Sequence, residues 1–107
     1  MDELEITPKE MKARLDRGEQ LVLIDVREPW EHQLSRIEGA KLIPLGALAA
    51  SLPTFPDVDE LICYCHHGIR SLDAAVWLRS QGIEKAKSLA GGIERWSVEI
   101  DPKVLRY

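Results

Sequence analysis

The sequence is poor in aromatic residues and in cysteine, and its 18 acidic residues outnumber its 14 basic ones. Aromatic side chains make up 6% of the 107 residues, and there are two cysteines. The formal net charge of −4 argues against a nucleic-acid partner, because nucleic-acid-binding proteins usually present a basic face. No apolar run approaches the length of about 20 residues that crosses a bilayer, so we expect no membrane association.

The first residues, Met1 to Glu5, lack a basic segment followed by an apolar core, so we expect no secretory signal. In such a chain the cysteines are expected to be reduced thiols in the cytoplasm. Cys63 and Cys65 are two positions apart, and a disulfide between them would close a small, strained ring. The remaining composition is that of an ordinary globular domain, and the length fits a single one. We predict one domain over residues 1–107, with a core from about 6 to 98 and a C-terminal tail over 99–107.

Short apolar runs alternate with helical patterns along the chain. The predicted strands are Leu4–Ile6, Leu21–Val26, Lys41–Leu45, Leu61–Tyr64 and Lys85–Leu89. The main predicted helices begin at Thr7-Pro8, near Glu28, at Gly46, at Ser71 and at Ile93. An apolar run without alternation is typical of a strand covered on both faces, which occurs in parallel sheets. The alternation predicts a three-layer α/β domain with a mainly parallel five-stranded sheet and helices on both faces.

Side chains within these elements carry further expectations. We expect the helix over Ser71–Gln81 to bury a face formed by Leu72, Ala75, Val76 and Arg79, and broadened by Trp77 and Leu78. Trp30 and Trp96 are expected to pack in the core rather than to line a pocket. Glu28, Glu31 and Glu38 are expected to form a solvated face. The tail residues Asp101 to Tyr107 are expected to be loosely packed, with contact to a partner protein as the alternative.

Right-handed crossovers place the carboxyl ends of parallel strands, with their loops, along one edge of the sheet. That edge is predicted to gather three segments: Asp25 to Arg27, Cys65 to Arg70, and Gly91-Gly92. Asp25 is either a catalytic acid or an ion-pair partner of Arg27, and we favour the pairing. Asp25 and Arg27 are therefore possible supporting residues of a site.

The segment from Leu61 to Ser71 carries the strongest chemical signal. A strand that turns tightly into a helix leaves its last side chain where unpaired N–H groups and the helix dipole favour negative charge. Cys65 stands there, so it should ionise readily, and the thiolate is the nucleophilic form of cysteine. Its loop is predicted to form an anion-binding nest, with Arg70 adding positive charge at the mouth. The candidate substrate-binding residues, through backbone N–H groups and the rim, are His66, His67, Gly68, Ile69, Arg70 and Ser71.

The neighbouring residues allow other interpretations. Cys63 lies within the apolar run, so packing is its expected role, and a resolving thiol is the alternative. Cys63, Cys65, His66 and His67 make a poor zinc site because structural zinc sites draw ligands from separate segments. We expect neither a metal nor another cofactor. The two histidine side chains are expected to line the rim and face solvent, although either could act as an acid or base.

Taken together, four motifs resemble the rhodanese domains. Leu23 to Glu28 resembles the Asp-Val-Arg segment of that family, and Gly39-Ala40 with Ile43-Pro44 resembles its next segment. Cys65 to Ser71 resembles its active-site loop, and Gly91-Gly92-Ile93 with Trp96 resembles its Gly-Gly-x-x-x-Trp signature. One departure is Arg36 to Ala40, where the family often has His-Ile-Pro-Gly-Ala. The resemblance implies a sheet in the order 1-5-4-2-3 and sulfur transfer through a persulfide on Cys65.

The leading hypothesis is a sulfurtransferase that moves sulfane sulfur from a donor such as thiosulfate to cyanide or a thiol. The main alternative is a persulfide carrier for a partner enzyme. A cysteine phosphatase or arsenate reductase is less favoured, because those loops place five residues between Cys and Arg, and only four separate Cys65 from Arg70. The expected partners are a small anionic sulfur donor and possibly a protein donor or acceptor. We expect a monomer or a weak dimer.

Overall fold

The computed structural model describes residues 3–58 and 60–107 and contains a five-stranded parallel sheet. Its strands are β1 (Glu5–Ile6), β2 (Leu23–Asp25), β3 (Lys41–Leu42), β4 (Glu60–Tyr64) and β5 (Lys85–Leu89). Its α-helices are α1 (Pro8–Asp16), α2 (Pro29–Leu34), α3 (Leu48–Ser51), α4 (Ile69–Ser80) and α5 (Gly92–Glu99). The strand order β1-β5-β4-β2-β3 confirms the predicted fold class and topology. In this part of the chain, no helix combines the length and apolar character needed to cross a membrane.

Local sequence signals account for the edges of the fold. The Thr7 hydroxyl accepts a hydrogen bond from the Glu10 N–H, and the Glu10 carboxylate accepts one from the Thr7 N–H, so α1 begins with the predicted capping box. Strand β3 lies at the end of the sheet beside β2 and ends before Pro44, as expected for an edge strand. The helix predicted from Gly46 is instead α3 flanked by two 3₁₀ turns, Leu45–Ala47 and Leu52–Thr54.

The buried face of α4 agrees with the predicted one at Ala75 and Leu78 and differs from it elsewhere. Its buried residues are Ser71, Ala74, Ala75 and Leu78. Val76 is 53% exposed, so the expected face through Val76 is wrong. The unpredicted buried residues are the small Ser71 and Ala74, which face the sheet in place of Val76. The most hydrophobic face and the face that packs best are therefore not the same.

The core is divided between the two faces of the sheet. One cluster contains Leu61, Cys63 and Cys65 together with α4 residues. The other contains Ile62 and Tyr64 with residues of α1 and α5. This division follows from the alternation of side chains along β4. Trp96 is buried in the second cluster as predicted, whereas Trp30 is 61% exposed, so its expected core position is wrong.

Candidate active site

Cys65 lies directly after β4, in a short loop that leads into α4. The helix begins at Ile69, two residues earlier than predicted, because Gly68 adopts a left-handed φ of 100° and ends the loop. The Cys65 Sγ atom accepts hydrogen bonds from the N–H groups of Gly68 (3.1 Å) and Ser71 (3.3 Å). Backbone donors directed at a sulfur atom stabilise its thiolate form.

Two buried serine hydroxyls form a line of contacts that begins at the Cys65 sulfur atom. Ser71 Oγ lies 3.4 Å from Cys65 Sγ, and Ser88 Oγ on β5 lies 2.7 Å from Ser71 Oγ. Both serines are 0% exposed. Ser88 was not among the predicted site residues, because a single serine in a strand gives no local signal.

Several further N–H groups of the loop have no hydrogen-bond acceptor within the described ranges. Within residues 3–58 and 60–107, the backbone N–H groups of His66, His67, Ile69 and Arg70 donate to no protein acceptor. The predicted nest therefore has two donors on the sulfur atom itself and four that are not used by the protein. Such donors can hold the outer sulfur of a persulfide or the oxygen atoms of a bound anion.

The Gly91-Gly92 turn supports this loop from behind. The first N–H groups of α5 hold its carbonyls, since Ile93 donates to Cys65 O (2.9 Å) and Glu94 to His66 O (3.1 Å). A Cβ atom on Gly92 would lie 2.5 Å from the Cys65 carbonyl oxygen and closer still to that of His66. Only glycine permits this approach, which gives the Gly-Gly motif a physical reason.

Arg70 is part of an ion pair rather than a free charge at the mouth. Its Nη1 and Nη2 atoms donate to Glu31 Oε1 (2.7 Å) and Oε2 (2.9 Å). Glu31 is 3% exposed, so the expectation that it is solvated is wrong. The hydrogen bonds from Arg70 outweigh burial and lower the pKa of Glu31 to about 2. Glu31 is held in place by the first turn of α2, where the Glu28 N–H donates to Oε1 at 3.0 Å.

Asp25 and Arg27 form a buried ion pair, as favoured from the sequence. Arg27 Nη2 donates to Asp25 Oδ2 (2.7 Å) and Nε to Oδ1 (2.8 Å), and both residues are 0% exposed. Burial disfavours the charged carboxylate, but hydrogen bonds from Arg27 and His32 keep the pKa of Asp25 below its ordinary value. Asp25 Oδ2 also accepts a hydrogen bond from Tyr64 Oη (3.2 Å).

The tail reaches the site through Tyr107, which corrects the expectation of a loosely packed terminus. Its hydroxyl accepts from Arg27 Nη1 (2.8 Å) and donates to Glu31 Oε2 (2.6 Å). Its ring stacks on His66 with centroids 3.9 Å apart. His66 is therefore enclosed between Tyr107 and His67, and only His67 is exposed as expected. Nothing local in the sequence indicated this contact.

Cys63 takes its expected place in the core. It is 0% exposed, and burial raises the pKa of its thiol to about 12. In the described ranges, the structure places no three His, Cys, Asp or Glu side chains where they could hold a metal ion.

Comparison with known proteins agrees with this geometry. The profile of the rhodanese-like domain matches residues 7–99. The chain belongs to the rhodanese-like domain family. The resemblance seen in its motifs is thereby confirmed.

Relatives of this rhodanese-like domain have names that refer to sulfur chemistry. It is 36% identical over 104 residues to the probable adenylyltransferase/sulfurtransferase MoeZ of Mycobacterium tuberculosis, covering 95% of the chain but only 26% of the relative. It is 32% identical to the putative sulfurtransferase YtwF of Bacillus subtilis, covering 96% of the chain and 99% of the relative. The putative sulfur carrier protein YrkF of Bacillus subtilis is 33% identical, with 87% of the chain and 50% of the relative covered.

Solved structures give the same assignment. A rhodanese-like domain protein from Staphylococcus aureus has a TM-score of 0.83 at 28% identity, covering 100% of this chain and 99% of that one. The human single-domain sulfurtransferase TSTD1 has a TM-score of 0.81 at 28% identity, covering 91% and 97%. The domain is thus a member of a family of sulfurtransferases and sulfur carriers.

Proposed function

We propose that this domain transfers sulfane sulfur through a persulfide on Cys65. In the first step, the Cys65 thiolate attacks the outer sulfur of a donor such as thiosulfate, the S–S bond breaks, and sulfite leaves with the electron pair. In the second step, cyanide or an acceptor thiolate attacks the outer sulfur of the persulfide and releases the Cys65 thiolate. This is covalent catalysis in two displacements.

The observation that carries this proposal is the pair of N–H groups directed at Cys65 Sγ. The bonds from Gly68 and Ser71 favour the attacking thiolate before the first step and the leaving thiolate in the second. The unused N–H groups of the loop supply donors for the added sulfur, which carries the negative charge of the persulfide.

The ion pair at Arg70 makes phosphoryl chemistry less favourable. A phosphatase loop uses its arginine fork to bind phosphate oxygens, whereas the Arg70 fork here already binds both oxygens of Glu31. The loop is also one residue shorter than the phosphatase pattern, as the spacing of Cys65 and Arg70 indicates. Both observations support a single sulfur atom rather than a phosphate group as the cargo.

The same ion pair favours a second candidate function, that of a persulfide carrier. A small oxyanion gains little from an arginine that is already neutralised, whereas a persulfide delivered by a protein does not need that charge. The exposed side chains Trp30 (61%) and Ile69 (75%), which adjoin Glu31 and Arg70 in sequence, offer an apolar rim to a protein partner. The sulfur-carrier name of one relative agrees with this role.

Mass spectrometry of the intact protein tests the shared chemistry. After incubation with thiosulfate and removal of excess donor, the wild type should gain one sulfur atom and lose it on addition of cyanide. Cys65→Ser should gain none, and Cys63→Ser, as the matched control, should gain one. A wild type that remains unloaded by both thiosulfate and a cysteine-derived persulfide donor, or a Cys65→Ser variant that still gains sulfur, would refute the proposal.

The two roles differ in their donor. An enzyme for small donors should turn over thiosulfate and cyanide many times per minute at saturation. A carrier should load slowly from thiosulfate and at least about tenfold faster from a cysteine-derived protein persulfide at equal concentration. The ratio of the two loading rates decides between them.

A further inference from the structure

Ser88 lies directly behind the hydroxyl that contacts the reactive sulfur. It belongs to β5, Ser71 belongs to α4, and Cys65 follows β4, so three elements meet at this point. Ser88 Oγ lies 2.7 Å from Ser71 Oγ, and this is the one hydrogen bond its side chain makes within the described ranges. Ser88 and Ser71 are 0% exposed and Cys65 is 1% exposed, so bulk water does not supply substitute partners.

The number of protons in this chain of three groups depends on the state of Cys65. With Cys65 as a thiol, the sulfur and the two hydroxyls carry three hydrogens, but only two contacts join them. One of the three hydrogens then has no acceptor among these three groups. With Cys65 as a thiolate, two hydrogens fill the two contacts: Ser88 donates to Ser71, and Ser71 donates to the sulfur. Because unsatisfied buried donors are costly, the thiolate is the better-satisfied state.

The direction of each hydrogen bond follows from the same count. A thiolate can only accept, so the Ser71 hydrogen must point to Sγ. Ser71 Oγ can then accept a hydrogen bond, and in the described structure the Ser88 hydroxyl is the side-chain donor within reach. Without Ser88, the Ser71 oxygen would lose the donor that polarises its hydroxyl, and the hydrogen bond from Ser71 to the thiolate would be weaker.

We propose that Ser88 is a positioning residue for the sulfur-transfer reaction: its hydroxyl donates to Ser71 Oγ and thereby directs the Ser71 hydroxyl hydrogen onto the Cys65 thiolate. This inference rests on the proposed role of Cys65 as the nucleophile. It extends that role to a residue of a different strand, outside the loop motif.

Alkylation by iodoacetamide as a function of pH tests the proposal without any sulfur donor. The reagent reacts with the thiolate, so the rate follows the thiolate fraction of Cys65, and Cys63 is removed as a background by using Cys63→Ala throughout. Ser88→Ala should move the midpoint of the profile upward by about half to one pH unit and slow alkylation at pH 7 by about threefold to tenfold. The titratable groups around the sulfur, His66, His67 and Arg70, are unchanged in every variant.

A double-mutant cycle separates positioning from a general loss of packing. Ser71→Ala should shift the midpoint at least as far as Ser88→Ala, and Ser71→Ala/Ser88→Ala should shift it no further than Ser71→Ala alone. Ser88→Thr, which keeps a hydroxyl on the same Cβ atom, should stay close to the wild-type profile. Ser35→Ala, which removes a buried hydroxyl that has no partner in the described ranges, should leave the profile unchanged.

Three results would overturn the proposal. They are an unchanged profile for Ser88→Ala, additive shifts in the double variant, or a Ser88→Thr shift as large as that of Ser88→Ala. Because alkylation needs no donor or acceptor, its outcome is independent of whether the protein loads sulfur from thiosulfate. Failure of the Ser88 role and failure of the proposed function are therefore distinguishable.

Discussion

At the scale of single residues, Cys63 and Cys65 differ in the groups that reach their sulfur atoms. Both belong to the core cluster between the sheet and α4. Cys65 Sγ accepts hydrogen bonds from two backbone N–H groups. The Cys63 thiol is buried, and burial raises its pKa to about 12. Because burial raises the pKa of the Cys63 thiol, we expect Cys63 to stay protonated near neutral pH and not to act as a resolving nucleophile.

The first prediction follows from this contrast. Cys63→Ala should retain at least half of the wild-type rate of sulfur loading, because its thiol has no role in the displacement. It should lower the free energy of unfolding by about 1 kcal/mol, because it removes a sulfur atom from a packed interior. Loading measured by intact mass and unfolding measured in urea check the two parts. A loading rate reduced tenfold or more would show that Cys63 takes part.

At the scale of elements, we expect sulfur loading to depend on how closely α5 approaches the loop after β4. Gly92 has a φ of +64°, near the left-handed region that other residues can occupy at modest cost. Gly82 has a less accessible φ of +101°, but a Cβ atom there would meet nothing within 4 Å. The two glycines therefore separate backbone strain from close packing.

The second prediction uses this matched pair. Gly82→Ala should cost about 1 kcal/mol of stability through strain alone and leave sulfur loading intact. Gly92→Ala should cost on the order of 3 kcal/mol and reduce loading by at least tenfold, because its methyl group must push the carbonyls of Cys65 and His66 aside. Urea denaturation and loading assays on both variants provide the comparison. Equal stability losses would mean that the contact with the loop is not decisive.

The tail is the second element that reaches the site. Tyr107 contributes a stacked ring and a hydroxyl that links Arg27 to Glu31. Burial and the hydrogen bond to Glu31 raise the pKa of Tyr107 to about 12, so the hydroxyl stays protonated and continues to donate at neutral pH.

The third prediction concerns that hydroxyl. Tyr107→Phe keeps the ring on His66 but leaves the guanidinium and the carboxylate each without one partner, and should cost about 1 to 2 kcal/mol. Tyr107→Ala should cost more, because it also removes the stacked ring. Leu105→Ala, at a 55% exposed position of the same tail, should change stability by less than about 0.5 kcal/mol. If Tyr107→Phe were as stable as the wild type, the bridge would contribute nothing.

The sequence predicted those elements whose signals are local. The capping box at Thr7, the apolar run before Asp25 and the strand that ends before Cys65 each lie within a few residues. The buried face of α4 was predicted only in part, because it includes the small residues Ser71 and Ala74 and leaves the more hydrophobic Val76 exposed.

At the scale of the whole molecule, the missed contacts join residues far apart in the chain. Glu31 meets Arg70 across 39 positions and Tyr107 across 76, and Ser71 meets Ser88 across 17. Parallel strand order brings them together, but nothing in their own neighbourhoods specifies which side chain will pair with which. The resemblance to rhodanese domains supplied the order of strands and the loop, since those depend on motifs, and could not supply the network beneath the loop.

This network makes the stability of the whole domain depend on pH in the acid range. The pKa of Glu31 falls from an ordinary value of 4.5 to about 2 in the folded protein, chiefly through its hydrogen bonds with Arg70. A carboxylate with a depressed folded pKa stabilises the protein fully above its unfolded pKa, and this stabilisation is lost as pH falls toward the folded pKa. The stabilisation that Glu31 provides is therefore lost as the pH falls from about 4.5 to about 2.

The fourth prediction compares Glu31→Gln with the wild type across that window. At pH 6 the variant should be less stable by about 2 kcal/mol, because Arg70 loses its charged partner while the amide keeps part of the hydrogen bonding. At pH 2.5 the difference should shrink to well under half of that, because Glu31 is then largely protonated in the unfolded wild type and partly in the folded one. Asp25, whose pKa is also lowered, is present in both proteins and cancels in the difference. Urea unfolding at each pH provides the measurement, and Glu38→Gln, at an exposed carboxylate, should show no such convergence with the wild type. If the stability difference between Glu31→Gln and the wild type stayed constant from pH 6 to 2.5, the ion pair would not set the acid stability of this domain.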